Sequence, residues 1–309
     1  METYFGRSIS ILSRSNDAVT LEKGTDEYGF TLQLTPEQAK SRQNCLAKQQ
    51  TRTAKWIKFS DPIKLRDKSR KLKNRVRKGI PPVLRPSTWY YICGANMRRE
   101  AAGRGYYENI LQDHAGEHSK ITALIDLDLP RTFPENAFIS GPEGTAQLRR
   151  VLRAFSFHNT HIRYCQSMNY IAGILLLVLK DDEKAFWVLV VLIEDILYPN
   201  CHAETLEGCH VEQRTLKALL ELKMPRLSQH FDELMCDLSC ITTEWVLCLF
   251  TKSLPAETVC RVLDSILLEG SKVLFRISLA IFKMTSGMLM NAEHIGMSGG
   301  ERGATLPLD

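Results

Sequence analysis

Two stretches decide the fold, IDLDLPRTFPEN (Ile125 to Asn136) and RYCQSMNYIAG (Arg163 to Gly173). In the first stretch, Pro130 and Pro134 lie on either side of Arg131. Each proline fixes its own φ and disfavours helical backbone at the residue before it. Arg131 is therefore predicted to lie on an extended loop at the surface, from which its side chain is free to reach outward.

The second stretch leads into an almost entirely apolar segment, Met168 to Leu179. A run of this kind predicts a helix that is buried on nearly all sides. Gln166 and Asn169 are then polar groups at the N-terminal end of that helix. A buried amide at such a position must be hydrogen-bonded or it costs free energy. Taken singly, Arg131 would be a solvated loop arginine and Gln166 an ordinary amide at the start of a helix.

Together the two stretches resemble the signature motifs of the TBC domain, the family of Rab GTPase-activating proteins. The residues that carry the resemblance are Ile125-x-x-Asp128-x-x-Arg131-Thr132, then Tyr164-Cys165-Gln166-x-x-Asn169, and upstream Arg85-x-x-x-Trp89. The resemblance runs from about Arg77 to about Met284. It implies an all-α, TBC-domain-like fold with two helical lobes.

The resemblance also implies roles for particular residues. Arg131 would be the arginine finger and Gln166 the glutamine finger, both acting in trans on a Rab GTPase in its GTP form. Supporting roles would fall to Asp128 for the arginine loop, to Tyr164 and Asn169 for the glutamine turn, and to Arg85 and Trp89 for the N-terminal lobe. GTP and Mg²⁺ would belong to the partner, so no cofactor of this chain is implied. The expected setting is vesicle transport in the cytoplasm, including the periphery of endomembranes.

Ser167 departs from the family pattern, which usually has glycine after the glutamine (YCQGMN). Glycine serves where φ is positive or where another backbone comes close, so in either case Ser167 would add strain or crowd the GTPase, whereas a helical serine would cost little. Two functions therefore stay open. The chain is either a GTPase-activating protein that uses both fingers or a non-catalytic Rab-binding adaptor with the same fold.

Length and composition limit the class of protein. A chain of 309 residues, 44% of them hydrophobic, can bury a sizeable core in one large or two modest domains. No apolar run approaches the length of a membrane span, and the N-terminus lacks the pattern of a secretory signal. Nine cysteines, several of them in apolar helix-like segments, favour reduced thiols over a disulfide framework. No P-loop motif is present, so the chain is not itself expected to hydrolyse GTP.

The sequence predicts four regions. Residues 1–39 are expected to be a flexible arm, residues 40–76 a basic lead-in, residues 77–284 the TBC domain, and residues 285–309 a glycine-rich, disordered tail. Because no sustained apolar pattern follows Met284, the C-terminal lobe is expected to be incomplete and the fold truncated at that end.

The basic segment from residue 40 to residue 78 has fifteen lysines and arginines but only two acids, Asp61 and Asp67. Such a segment can bind anionic membrane or phosphate groups. The alternative is a solvated basic helix that leads into the domain. Its only aromatic residues are Trp56 and Phe59, too few to stack nucleic-acid bases, so nucleic acid is not an expected partner.

Two patterns resemble metal sites without meeting their requirements. HAGEH, from His114 to His118, has the spacing of a zinc peptidase, but Gly116 and polar surroundings indicate a loop and not the rigid helix that this chemistry needs. The pairs Cys201-His202 and Cys209-His210 lack C-x-x-C spacing. They are interpreted as a polar loop between helices, and no metal is expected.

Overall fold

The computed structural model describes residues 22–59 and 61–292, and this part of the chain is almost entirely helical. It contains one hairpin of two antiparallel strands, β1 (Glu22–Thr25) and β2 (Thr31–Leu34), followed by fifteen α-helices. The helices are α1 (Pro36–Ile57), α2 (Pro62–Arg66), α3 (Arg70–Arg77), α4 (Arg85–Ile92), α5 (Ala95–Ala102), α6 (Tyr106–Asp113), α7 (Lys120–Asp128), α8 (Pro142–His158), α9 (Met168–Leu179), α10 (Asp182–Val191), α11 (Glu207–Lys223), α12 (Pro225–Glu233), α13 (Ser239–Leu247), α14 (Ala256–Glu269) and α15 (Lys272–Met290). The all-α class predicted from the sequence is confirmed.

The core is built around α9, whose residues are almost all buried. Both α8 and α10 pack against it and against each other. The helix begins where Asn169 accepts the N–H of Ser167, and it ends before Lys180, which takes the left-handed conformation. Burying one leucine or isoleucine side chain contributes about 1.5 to 3 kcal/mol, so this helix anchors the residues that precede it.

The hairpin corrects the prediction of a flexible arm over residues 1–39. Its turn is closed by Asp26, whose Oδ1 accepts the N–H groups of Tyr28 and Phe30, each at 2.9 Å. The turn is also held from outside, because Asn136 Nδ2 donates to the carbonyl of Tyr28 at 2.8 Å. The arm up to residue 21 lies outside the described residues.

The basic segment from residue 40 to residue 78 is largely helical, and one of its faces is buried. Trp56 in α1 is 2% exposed, and Leu72 and Val76, four residues apart in α3, are fully buried. Helix α3 packs against α14. The charged side chains are thereby left on the opposite face, where they surround a cleft described below.

At the C-terminal end, α15 continues to Met290, beyond the predicted start of a disordered tail at residue 285. Thr285 and Leu289 share a buried face one turn apart, and the Thr285 hydroxyl donates to the carbonyl of Ile281 at 2.8 Å. The sequence TSG after Met284 predicts the end of the helix. The helix continues because the threonine hydroxyl is hydrogen-bonded to a backbone carbonyl of the preceding turn. Residues 293–309 lie outside the described residues.

Among the described residues, α15 is the one helix that is long and apolar enough to cross a membrane by those two criteria. It packs against α11, α12, α13 and α14, and its Leu274 and Phe282 are buried among them. One face of this helix is therefore part of the core.

Candidate functional site

Arg131 ends a short 3₁₀ turn, Leu129–Arg131, that continues directly from α7. This corrects the prediction of an extended loop. Proline is tolerated in the first turn of a helix because its missing N–H is not needed there, and Pro130 occupies such a position. The chain becomes extended at Thr132 and then takes a φ of 47° at Phe133. The Arg131 side chain is 47% exposed, so its guanidinium is accessible to a partner.

Asp128, the last residue of α7, holds this guanidinium. Its buried carboxylate forms an ion pair with Arg131 through Oδ1 and accepts a hydrogen bond from the Tyr164 hydroxyl through Oδ2. Burial, reinforced by the nearby Asp128 charge, raises the pKa of Tyr164, so the phenol remains a donor. A single carboxylate thus connects the arginine turn to the segment that carries Gln166.

Gln166 is half-buried in the turn that precedes α9. The turn is fixed by the buried side chain of Asn169, whose Oδ1 accepts the N–H of Ser167 at 3.1 Å and whose Nδ2 donates to Thr132 Oγ1 at 2.7 Å. Within residues 22–59 and 61–292, no group is hydrogen-bonded to the side-chain amide of Gln166. Its backbone is held while its amide is left available to a partner.

Further contacts join the two segments through residues for which no role was predicted. The hydroxyl of Thr132 donates to the carbonyl of Asp128 at 2.7 Å, and the hydroxyl of Tyr170 donates to the carbonyl of Arg131 at 3.2 Å. The ammonium of Lys252 lies 5.4 Å from the centre of the Tyr170 ring. Thr132 stands within the recognised motif and could have been singled out. Tyr170 and Lys252 carry no signal in the sequence.

Ser167, the residue that departs from the family pattern, has a φ of 134° and is 1% exposed. Of the two alternatives that the sequence left open, the positive φ is the one found. A residue with a side chain is strained in this region of backbone space, at a cost on the order of 1 to 3 kcal/mol, whereas glycine adopts it readily. The serine therefore stores strain directly beside Gln166.

Ser167→Gly is expected to raise the free energy of unfolding by about 1 kcal/mol, since the relief of strain exceeds the entropy that glycine adds to the unfolded chain. Urea unfolding of the two proteins measures the change. Ser286→Gly, which places glycine inside α15, is the control and is expected to lower stability by about 0.5 to 1 kcal/mol. Equal losses in both variants would show that the backbone at Ser167 is not strained.

Arg85 and Trp89, both on α4, make their contacts with α14 and not with the arginine turn. The fully buried Arg85 pairs with Asp264 at 3.1 Å and with Glu257 at 2.6 Å, and Trp89 Nε1 donates to Asp264 Oδ1 at 2.6 Å. Neither Glu257 nor Asp264 was identified from the sequence, because no sequence pattern marks a residue on α14 as the partner of a residue on α4. These contacts place Arg85 and Trp89 as the tie between α4 and α14.

The described residues contain no group of three or more His, Cys, Asp or Glu that could hold a metal ion. The predicted polar loop at Cys201 and His202 is instead buried, as is Cys209. His202 Nε2 lies 2.9 Å from the carbonyl of Leu247, and burial lowers the pKa of this imidazole to about 4. The loop is part of the core because its thiols and a neutral imidazole pack as apolar groups do.

Glu212 on α11 is 2% exposed, and its Oε2 has no hydrogen-bond partner in the described part of the chain. Burial raises its pKa to about 7. Because the folded state binds this proton more tightly than the unfolded state, the free energy of unfolding is expected to fall as the pH rises from about 4.5 to about 7. Above that range this contribution levels off.

Glu212→Gln is expected to remove roughly 1 to 3 kcal/mol of that decrease, because glutamine does not ionise. Urea unfolding at about pH 5 and about pH 8 measures it. Glu221→Gln, at an exposed position on the same helix, is the control and is expected to leave the pH dependence unchanged. If both variants retain the pH dependence of the original protein, Glu212 is not its source.

Comparison with known proteins places the chain in a family. A model of the Rab-GTPase-TBC domain matches residues 82–290. Mouse TBC1 domain family member 2A is 41% identical over 227 residues, which cover 73% of this chain and 24% of that protein. Growth hormone-regulated TBC protein 1 of Xenopus laevis is 37% identical over 246 residues, which cover 79% of this chain and 71% of that protein. The chain thus spans about a quarter of the first relative and about seven tenths of the second.

Among solved structures, the RabGAP TBC domain of a Chlamydomonas flagellar protein superposes with a TM-score of 0.79 at 38% sequence identity. The superposition covers 88% of this chain and 90% of that domain. The superposition therefore extends over most of the chain, and the residues matched by the family model, 82–290, include Arg131 and Gln166.

Proposed function

The chain belongs to the Rab-GTPase-TBC domain family, and we propose that it accelerates GTP hydrolysis by a Rab-family small GTPase. The proposed catalytic groups are the guanidinium of Arg131 and the side-chain amide of Gln166. The substrate is the GTP-bound form of the Rab. GTP and Mg²⁺ are supplied by that partner, and the proposal assigns no cofactor to this chain.

Hydrolysis of GTP requires little covalent catalysis from the activating protein. Phosphoryl transfer needs charge stabilisation on the transferring γ-phosphoryl group and an oriented attacking water. The guanidinium of Arg131 offers a planar, permanently charged fork of donors that matches phosphate oxygens. The amide of Gln166 has a carbonyl that accepts from water and an NH₂ group that donates to phosphate.

The observation that carries the proposal is the shared carboxylate of Asp128. It binds the Arg131 guanidinium through one oxygen and the Tyr164 hydroxyl through the other, two residues before Gln166. The turn that carries Arg131 and the segment that carries Gln166 are therefore both tied to one buried group before a partner arrives. Preorganised groups act on a transition state without reorganisation at the moment of reaction, which is the condition for a large catalytic effect.

A second candidate function is a non-catalytic Rab-binding adaptor with the same fold. The strained backbone at Ser167 favours it, because a change of conformation there would displace the adjacent Gln166 amide. Such an adaptor would bind a GTP-bound Rab without changing its rate of hydrolysis.

The test is single-turnover GTP hydrolysis by a panel of Rab proteins, with and without this protein, Arg131→Ala and Gln166→Ala. Acceleration of one or a few Rabs that is lost in both variants is expected. The matched control is Arg149→Ala, since Arg149 is an exposed arginine that pairs with Asp126 at 2.8 Å and not with Asp128. No acceleration by folded protein, together with binding of a GTP-bound Rab, would assign the adaptor function instead.

We also propose that the protein acts in vesicle transport, in the cytoplasm and at the periphery of endomembranes. The excess of positive charge between residues 40 and 78 supports contact with anionic lipid, which each basic residue near the surface favours by about 1 kcal/mol. Loss of binding to anionic liposomes at high salt would support this contact. Binding that is insensitive to salt would contradict it.

A further inference from the structure

Helices α1 and α3, together with the residues that follow α3, surround a cleft with a volume of about 660 Å³. This volume lies within the range of small-molecule binding sites, about 300 to 1,000 Å³. Nine described residues line it, and six of them are basic: Arg52, Lys55, Arg70, Lys71, Arg75 and Lys78. The other three are Trp56, Asn74 and Gly79, so none of the described lining residues is acidic.

The positive charge in the cleft is not neutralised by the protein. Within residues 22–59 and 61–292, none of the six cations forms an ion pair with a carboxylate. Other basic side chains of the same two helices do so. Arg77 of α3 pairs with Glu269 at 2.6 Å, and Arg42 of α1 lies 3.8 Å from Glu27. Other basic side chains of the two helices thus have acidic partners, whereas the six cations of the cleft have none among the described residues. Like charges held close together repel one another until an anion binds.

The walls of the cleft are fixed without a ligand. Trp56 Nε1 donates to the carbonyl of Gly79 at 3.0 Å, which joins α1 to the end of α3. The Arg75 guanidinium packs over the ring of Phe59 at 4.6 Å and donates to the carbonyl of Lys55 at 3.2 Å. The positions of α1 and α3 are thus set in advance, so binding does not have to bring the two helices together.

We propose that this cleft binds a compact polyanion that carries two or more phosphate groups. Arginine forks bind phosphate through paired hydrogen bonds, and lysines add point charges. An anion of single charge would leave most of the six cations uncompensated. Lipids that carry one charge each present a plane that does not enter a cleft, whereas a headgroup with several phosphates protrudes from that plane. The ligand is therefore either such a headgroup or a soluble phosphorylated polyol. This site does not depend on the proposed activity toward a Rab.

The test compares two variants that lose the same charge. In the first, three exposed residues of the cleft are replaced: Lys55→Gln, Arg70→Gln and Lys71→Gln. In the second, three exposed residues of the same basic segment that do not line the cleft are replaced: Lys64→Gln, Arg66→Gln and Lys68→Gln. Both leave the buried face of α1 and α3 intact, and thermal unfolding verifies the fold of each.

The first probe is soluble inositol hexakisphosphate, followed by calorimetry. The second is sedimentation with phosphatidylcholine vesicles that contain phosphatidylinositol bisphosphate, compared with vesicles that carry the same total charge as phosphatidylserine. Saturable binding of at least one polyphosphate probe is expected, with affinity reduced at least about tenfold in the cleft variant and less than about threefold in the control. Soluble binding without vesicle binding assigns a free polyphosphate, and preference for the bisphosphate vesicles assigns a lipid headgroup.

Three results would overturn the proposal. One is the absence of saturable binding to either polyphosphate probe. Another is an equal loss of affinity in the two variants, which would show attraction to the general charge of the segment. The third is equal binding to the two kinds of vesicle without binding to the soluble probe.

Discussion

Arg131→Ala is expected to lower the rate of GTP hydrolysis in the complex with the responsive Rab by about 10³- to 10⁵-fold, since this is the contribution of an arginine finger supplied in trans. The loss arises in the chemical step, because the guanidinium acts on charge that develops on the γ-phosphoryl group. The side chain is 47% exposed and its buried partner Asp128 keeps the hydrogen bond from Tyr164, so the fold is expected to survive.

Single-turnover hydrolysis at saturating activator measures this effect, and affinity for the GTP-bound Rab is measured in parallel. Arg131→Lys is the informative companion, because lysine keeps the positive charge but loses the planar fork. It is expected to recover little of the activity while it preserves Rab binding. A loss of less than about tenfold in Arg131→Ala, with folded protein and unchanged binding, would remove Arg131 from the chemistry.

The clearest success of sequence reasoning is α9. Its predicted span, Met168 to Leu179, is the span observed. The reason is local, because an uninterrupted apolar run lies between two polar boundaries, Gln166 with Ser167 on one side and Lys180 on the other. The pairing of Asp128 with Arg131 was also within reach, since the two residues are three positions apart at the end of one helix.

Features fixed by distant parts of the chain were not predictable. The sequence of the hairpin, residues 22–34, is polar and contains glycine, which predicts a flexible arm. Its turn is held by Asn136, which lies 108 residues from Tyr28. The strain at Ser167 depends on how the turn before α9 is anchored. The sequence therefore left a strained and an unstrained backbone at this residue as alternatives. The continuation of α15 past Met284 was missed because its buried face is visible only once the neighbouring helices are in place.

Asp264 is the strongest case of this kind, and Asp264→Ala is expected to lower the free energy of unfolding by about 3 to 5 kcal/mol. The fully buried carboxylate accepts hydrogen bonds from Arg85 Nε at 3.1 Å, from Trp89 Nε1 at 2.6 Å and from the N–H of Ile80 at 3.2 Å. Its removal leaves these donors buried without their acceptor. It also leaves Arg85 with Glu257, a partner whose side chain is 36% exposed, as its remaining ion pair.

Urea unfolding measures the loss, and Asp126→Ala is the control. Asp126 also pairs with an arginine, at 2.8 Å, but its side chain is 44% exposed, so its removal is expected to cost less than about 1 kcal/mol. The contrast tests whether burial or the mere presence of an ion pair sets the effect. A loss at Asp264 as small as that at Asp126 would show that water reaches the α4–α14 contact.

The double variant Arg85→Met with Asp264→Leu separates two accounts of this contact. If the cost of Asp264→Ala comes mainly from stranding a buried charge, the double variant, which removes both charges, is expected to be more stable than Asp264→Ala by about 1 to 3 kcal/mol. If the contact instead stabilises through its hydrogen-bond geometry, the double variant is expected to be no more stable than Asp264→Ala. The first outcome is expected, because Arg85 has no exposed surface from which water could solvate it. The contact would then set how α4 is oriented on α14 more than it adds to stability.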